Sequence, residues 1–451
     1  MKTLEILPPP KGKLLEGTPI GAARNEGIER HICIPEEIRR CHTHIIGRTG
    51  AGKSNCIEHM VLHDIRNGSG VVVLDPHGDT VERLVRLIPE KDIERTIYFD
   101  PSDPDWVPLW NPISLNPGQD IYRTTADLVA ALKGVVEGWG DRLEHLLRNA
   151  FLAVLHLPNP TLLDVSNLLM KGSPVGDMLR ADILSALKTP ALRNFWECDF
   201  KGYRHDELAP PKHKLSKLLL SGTVSLMLSQ AESRINISKI MEEGQILLVN
   251  LGNLGSQVRE VLGCFLLALL HIMALKRSSL RAENRRPFHI YCDEAHRFVT
   301  DALEDIIAET RKFAVSLTLA HHYMRQFKAE KADALATVGS TIIFNVDSND
   351  ARYLLNNLRE EVEVKDIVGL GLGEAVARIG TEIVKIKTFK PQSELRDDIR
   401  ERIIGLSHER YYKPISEILQ AIRQPRGARR IPARDDSKVP PPGEFYYEEL
   451  E

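Results

Sequence analysis

The stretch from Thr43 to Ser54 constrains this chain more than any other. Thr43-His44-Ile45-Ile46 is a short β-prone run, and it passes directly into Gly47-Arg48-Thr49-Gly50-Ala51-Gly52-Lys53-Ser54. The octet fits G-x-x-x-x-G-K-[ST]. Its glycines let successive backbone N–H groups turn inward on phosphate oxygens. Lys53 reaches the β- and γ-phosphates, and the Ser54 hydroxyl takes a Mg²⁺ coordination position. The helix predicted from Lys53 to Arg66 aims the positive end of its dipole at the same anion. A strand entering and a helix leaving is the context this motif needs. Gly47, Arg48, Thr49, Gly50, Ala51, Gly52, Lys53, Ser54 and Asn55 are therefore the expected binding segment for ATP with Mg²⁺.

Around this motif the chain alternates between strand-like and helix-like patterns. Asn67-Gly68-Ser69-Gly70 marks a turn, Val71-Val72-Val73-Leu74 is an unbroken β-branched run, and Thr96-Ile97-Tyr98-Phe99 repeats it after a further helix. The rhythm stops at the Pro-rich bridge DPSDPDWVPLWNPISLNPG. From about Ile121 to Ser233 the pattern is helical, clearest in LEHLLRNAFLAVLHL. Strand patterns return at Gln245–Leu251, Phe288–Asp293, Val315–Ala320, Thr341–Asn345 and about Glu374–Ile386. Such alternation predicts an α/β fold with a mainly parallel sheet covered by helices on both faces. The core takes 41–115 and 240–395, with an all-α insertion at 116–239. Residues 1–40 read as an extended N-terminal arm and 396–423 as C-terminal helices. Residues 424–451, with Arg426, Arg429, Arg430, Arg434 and a triple proline, read as a disordered tail.

The chain has 451 residues, 59 Lys+Arg against 62 Asp+Glu, and a formal net charge of −3. No global attraction to a polyanion follows, so any such site is a local patch. Six scattered cysteines with no C-x-x-C pair read as reduced cytosolic thiols. His42 and His44 beside Cys41 lie on a predicted strand, and ordinary core positions are favoured there over a metal site. The apolar run Val261–Leu275 falls short of the roughly 20 residues of a membrane span, and it contains His271. It reads as a buried core helix. The opening MKTLEILPPPKGK has no apolar signal-peptide segment. A cytoplasmic protein with no intrinsic membrane segment is expected.

A second acidic motif ends a predicted buried strand: Phe288-His289-Ile290-Tyr291-Cys292-Asp293-Glu294-Ala295-His296. Acids there also suit a helix N-terminus. Paired with the phosphate loop, Asp293 holds the Mg²⁺ shell opposite Ser54, and Glu294 polarises the attacking water. In Val71-Val72-Val73-Leu74-Asp75-Pro76-His77-Gly78-Asp79 a strand delivers Asp75 to the carboxyl edge of the sheet, where ligands bind in such folds. Support of the metal or phosphate loop and a plain strand-ending turn are both open for Asp75.

Together, GRTGAGKSN, VVLDPHGD, WNPI, IYCDEAHRF, ETRKFAVSLTLAHH and VGSTIIFNVDSNDA resemble the HerA/FtsK superfamily of ring-shaped DNA-pumping ATPases. The resemblance runs over about residues 40–390 and is greatest to the HerA branch and the soluble part of type IV secretion coupling proteins. It implies a RecA-like core, a homo-oligomer that is a hexamer, ATP sites between subunits, and DNA in the central channel. Lys53 and Ser54 match the Walker A pair, and Asp293 and Glu294 the Walker B pair. Arg311 matches an arginine supplied to the neighbouring subunit. In Ala320-His321-His322-Tyr323, His322 stands where the family usually has a glutamine that senses phosphate. The catalytic set implied is Glu294, Lys53, Arg311 and His322, with Ser54 and Asp293 on the metal. The stretch before the first core strand is short for a HerA β-barrel, and the N-terminal membrane helices of coupling proteins are not seen. The resemblance thus implies a pared-down motor working with a partner nuclease or effector in DNA processing or antiphage defence. A coupling ATPase of a conjugative or type IV secretion system is the first alternative, and an ATP-dependent scaffold ring the second. Lys201, Arg204, Lys212, Lys214 and Lys217 in the insertion are a candidate DNA contact, against the reading of a solvated helix face. The arginine tail is another.

Overall fold

The β-branched runs become strands because they can be buried on both sides. A computed structural model describes residues 12–25, 28–115, 119–135, 138–298, 303–356, 358 and 362–423. Its strands are β1 (Thr18–Asn25), β2 (Ile28–Ile34), β3 (Thr43–Ile46), β4 (Gly70–Asp75), β5 (Thr96–Phe99), β6 (Trp106–Pro108), β7 (Ile246–Asn250), β8 (Phe288–Cys292), β9 (Val315–His321), β10 (Ser340–Ile343), β11 (Glu374–Ile379), β12 (Glu382–Lys387) and β13 (Tyr412–Pro414). Among the described residues these make an 11-stranded sheet in the order β2-β1-β12-β11-β10-β3-β9-β8-β4-β7-β5, and β13 pairs with β6 in a separate ribbon. From β10 through β5 every pairing is parallel. From β10 through β2 every pairing is antiparallel. This is the mostly parallel α/β sheet the alternation predicts.

Side chains alternate between two cores, as the two-residue period of a strand requires. Val71 and Val73 of β4 face one apolar cluster, Val72 and Leu74 the other. Ile246 and Leu248 of β7 likewise oppose Leu247 and Val249. The first cluster takes in Cys56, Ile57, Met60 and Val61 from the helix Lys53–Arg66. The second takes in the helical stretch between β6 and β7. There the helix Asp141–Val154 buries Leu146, Leu147, Ala150 and Phe151 in the same cluster as Val72 and Leu74. The helical segment therefore shares its core with one face of the sheet. The long apolar helix also lies there. Its span, Ser256–Ser279, is 78% buried over its apolar stretch, so its lipid-like composition serves protein packing.

The N-terminal segment departs from the expected extended arm. Thr18–Asn25 and Ile28–Ile34 pair with each other as β1 and β2, and β1 pairs with β12, which adds both strands to the sheet. Ile20, Ile32 and Ile34 are buried in the same cluster as the helix Lys53–Arg66. Burial of these isoleucines against the helix turns a Pro- and Gly-containing stretch into sheet. At the opposite margin, the helix Asp397–Tyr411 protects β5. The backbone N–H of Tyr98 donates to Ser407 Oγ at 3.0 Å, and Tyr412 Oη donates to the Tyr98 carbonyl at 2.9 Å. Side-chain groups thus satisfy backbone groups that an edge strand leaves unpaired. The expected tail, 424–451, lies outside the described residues.

Candidate functional site

Strand order decides which residues meet. β9 lies between β3 and β8, and neighbouring strands run about 4.8 Å apart. All three are parallel and end at one edge. The phosphate loop leaves β3, Asp293 and Glu294 follow β8, and His322 follows β9. The residue beyond the middle strand is therefore delivered between the other two groups.

The loop itself is shaped by left-handed backbone at Gly50 (φ 77°) and Gly52 (φ 118°). A Cβ on Gly52 would also press on Gly373 Cα at 3.2 Å and Phe344 Cε1 at 3.3 Å, so glycine is required there on two counts. The loop is anchored by Arg48 N–H donating to Asn345 O at 2.9 Å and by Gly373 N–H donating to Ala51 O, also at 2.9 Å. Arg48, Thr49 and Gly50 form its exposed tip. Asn55 is used differently: its Nδ2 donates to the Phe389 carbonyl at 2.6 Å, fastening the segment after β12 to the helix Lys53–Arg66.

Lys53 is buried, and burial pulls its ammonium below the ordinary lysine value, against the pull of Asp293 and Glu294. Its Nζ donates to Gly47 O at 2.7 Å and to His322 Nδ1 at 2.8 Å. The other ring nitrogen of His322, Nε2, makes a close contact with Glu294 Oε1. His322 therefore bridges the lysine and the acid. Ser54 Oγ donates to Asp293 Oδ2 at 3.3 Å. Thr80 Oγ1 donates to the same oxygen at 3.4 Å. This hydroxyl–carboxylate set of hard oxygens fits Mg²⁺, which takes a few protein oxygens beside substrate phosphates. Glu294 sits in left-handed backbone (φ 49°, ψ 46°) and is 5% exposed. Strain of that kind in a non-glycine residue persists only where its surroundings hold it, and it collects at functional sites.

Asp75 settles into the turn. Its carboxylate accepts the backbone N–H groups of His77 at 2.8 Å, Thr80 at 2.8 Å and Val81 at 3.2 Å. Burial pushes the Asp75 carboxyl above the ordinary aspartate value, and the His77 and Val81 N–H groups oppose that shift. The turn reading accounts for every one of these bonds. Asp75 acts on the site by holding the segment that carries Thr80.

Arg311 is not brought to this site. It precedes β9, which runs parallel to β3, so it lies at the amino edge of the sheet while the phosphate loop lies at the carboxyl edge. Its Nη1 approaches Cys41 Sγ at 3.7 Å. It lines an open cleft of about 750 Å³ with Lys312, Glu330 and Asp333. His42 and His44 are core residues. His42 Nε2 bonds the Ile307 carbonyl at 2.9 Å, its Nδ1 accepts Leu317 N–H at 3.0 Å, and His44 Nε2 meets His321 Nε2 at 2.6 Å. Among the described residues there is no metal-binding cluster, and the six cysteines are free.

Three site residues escaped sequence reasoning: Thr80, already described, His296 and Gln326. Gln326 Oε1 accepts the backbone N–H groups of His322 and Tyr323, and its Nε2 meets His296 Nε2 at 3.1 Å. His296 Nδ1 lies 3.4 Å from Glu294 Oε2. Burial, with the nearby Arg297 guanidinium, pushes His296 down to about 4, so its ring is neutral. The sequence signal was present for His296, two residues after Glu294, but none distinguishes Gln326.

The family model described as the central domain of helicase HerA matches residues 18–171. No curated protein matches the chain. Among solved structures, the bacterial conjugative coupling protein TrwB in its unbound form is 16% identical with a TM-score of 0.59, over 86% of this chain and 92% of that one. TrwB in complex with ADP and Mg²⁺ is 17% identical with a TM-score of 0.58, over 86% and 92%. VirB4 of Thermoanaerobacter pseudethanolicus is 16% identical with a TM-score of 0.60, over 84% and 97%. Identity at this level speaks for the fold. Residues 18–171 are thus similar to the central domain of HerA, and the chain shares the RecA-like P-loop ATPase fold of TrwB and VirB4.

Proposed function

We propose that this chain is an ATP-hydrolysing, ring-forming motor that acts on DNA in the cytoplasm. The observation that carries the reading is the line Lys53–His322–Glu294 beside the Ser54–Asp293 pair at one edge of the sheet. Lys53 turns from the Gly47 carbonyl and His322 to the β- and γ-phosphates. His322 meets the γ-phosphate from the middle strand and donates one hydrogen bond to it. Glu294 orients the attacking water and accepts its proton. Ser54 and Asp293 would hold Mg²⁺, which would neutralise phosphate charge when bound. Arg311, remote from its own site, is the group each subunit offers to the next. A hexameric ring supplies that geometry, since head-to-tail contacts close into rings. The exposed or half-exposed Lys201, Arg204, Lys212 and Lys217 supply a local positive contact for DNA phosphates, repeated once per subunit.

A partner nuclease or effector in DNA processing or defence completes this reading. One observation favours a second, a coupling ATPase of a secretion or conjugation system: the likeness to TrwB and VirB4 extends over 84–86% of this chain. Steady-state ATPase with and without DNA tests both motor readings. DNA should stimulate turnover severalfold, and the stimulation should fade with rising salt. ATPase activity indifferent to single- and double-stranded DNA would contradict both motor readings and leave the scaffold ring.

A further inference from the structure

We propose that His296 and Gln326 are positioning residues for ATP hydrolysis, which hold the Glu294 carboxylate in place and tie it to the strand end that carries His322. The inference rests on reading this site as an ATPase.

The assignment follows from which atoms can donate. Gln326 Oε1 accepts two backbone N–H groups, from His322 at 2.8 Å and Tyr323 at 3.0 Å. Two fixed donors identify that end of the amide as the oxygen, so the NH₂ end faces His296 Nε2 at 3.1 Å. An amide NH₂ only donates, which makes His296 Nε2 the acceptor. In a neutral imidazole the proton then sits on Nδ1. That nitrogen faces Glu294 Oε2 at 3.4 Å. It is buried and has no full hydrogen bond. A buried N–H with one carboxylate before it has a single use.

The other oxygen of Glu294 faces His322. The Lys53 ammonium donates to His322 Nδ1 at 2.8 Å, so Nδ1 is the acceptor and the N–H of His322 lies on Nε2, against Glu294 Oε1. Each oxygen of the carboxylate therefore faces one imidazole N–H. The two contacts have different fates in a turnover. Phosphate binding draws Lys53 and His322 away from Glu294. His296, off the line to the phosphate loop, is then the contact that keeps the acid from swinging. Gln326 closes the circuit, because a displacement of the His322–Tyr323 backbone reaches His296 through one side chain. A turn cap at Met324–Gln326 would explain Gln326 Oε1. It explains neither the amide bond to His296 nor the aim of His296 at Glu294.

The test uses the full chain, three substitutions at His296 and one at Gln326. In His296→Asn the amide nitrogen falls near the place of Nδ1; in His296→Gln it falls near Nε2; His296→Ala has neither. Steady-state ATPase gives kcat and KM, and ADP affinity by calorimetry checks that each site is folded. His296→Ala and His296→Gln should lower kcat roughly 10- to 100-fold, the range of a misplaced catalytic group. KM and ADP affinity should stay within about threefold of wild type, and His296→Asn should recover most of kcat. Gln326→Ala combined with His296→Ala should cost no more than the larger single loss, since the two act in one relay. Wild-type kcat in all three His296 variants, a His296→Asn no better than His296→Ala, a change confined to KM, or additive losses in the double variant would overturn the proposal. A wild type no faster than Lys53→Ala would instead sink the ATPase reading, and the inference with it.

Discussion

Arg311→Ala separates an arginine that serves its own subunit from one that serves a neighbour. β9 has 7 residues between Arg311 and the His322 end of the sheet, a length of roughly 23 Å at about 3.3 Å per residue. That is several times the reach of an arginine side chain, and Arg311 already points to Cys41 at the far edge. Its effect on its own phosphates should be negligible. As a finger in trans, its loss should lower turnover by about 10³–10⁵. Arg311→Ala alone and Glu294→Gln alone should thus both be nearly inactive. Mixed in equal amounts and allowed to exchange subunits, they should regain activity at interfaces that pair an intact Glu294 with an intact Arg311. Random assembly of a ring makes such interfaces roughly a quarter of the total. Steady-state ATPase of the mixture, after subunit exchange is confirmed by mass, is the assay. No recovery above either parent would refute the trans assignment. An Arg311→Ala protein with normal turnover would remove Arg311 from catalysis altogether.

Two stability predictions come from the buried polar residues. Burial lowers His42 to about 4 and His44 to about 3. Below pH 6.5 the unfolded chain therefore takes up protons that the folded chain refuses. Stability is full above that pH and falls as pH drops toward 4, by about 2 kcal/mol per histidine at pH 5. The difference in urea unfolding free energy between pH 8 and pH 5 should shrink by about 2 kcal/mol in His44→Leu, and an unchanged difference would contradict this. Arg39, 0% exposed, donates to Tyr291 Oη at 2.8 Å and Thr318 Oγ1 at 2.8 Å and lies 3.5 Å from the buried Asp64. Arg39→Ala strands that carboxylate and should cost about 3–5 kcal/mol in denaturant unfolding; a loss below about 1 kcal/mol would count against it.

What the sequence disclosed depended on how locally each feature was determined. The helix Lys53–Arg66 was legible to the residue, because the phosphate-loop motif sets its start and Asn67-Gly68 its end. β4, β5 and β7 were legible because parallel strands covered on both faces need unbroken apolar runs. The β1–β2 pair was not. Pro19 and Gly21 blur its alternation, and its burial comes from β12 and the helix Lys53–Arg66, both distant in sequence. The spacing of Ile32 and Ile34 was the one strand signal available. The edge on which Arg311 lies could have been deduced, since a residue just before a parallel strand sits at its amino edge. The role of Gln326 could not, because it depends on how the chain turns after β9 and on two backbone N–H groups.

The most direct test of the central claim is ATP turnover by Glu294→Gln at saturating ATP and Mg²⁺. The amide keeps the shape and loses the proton acceptor, while Lys53, Ser54 and Asp293 stay in place to bind nucleotide. Turnover should fall by roughly a hundredfold or more, with ATP affinity near that of the wild type. Turnover close to wild type would contradict the account and move the chemistry to another acid.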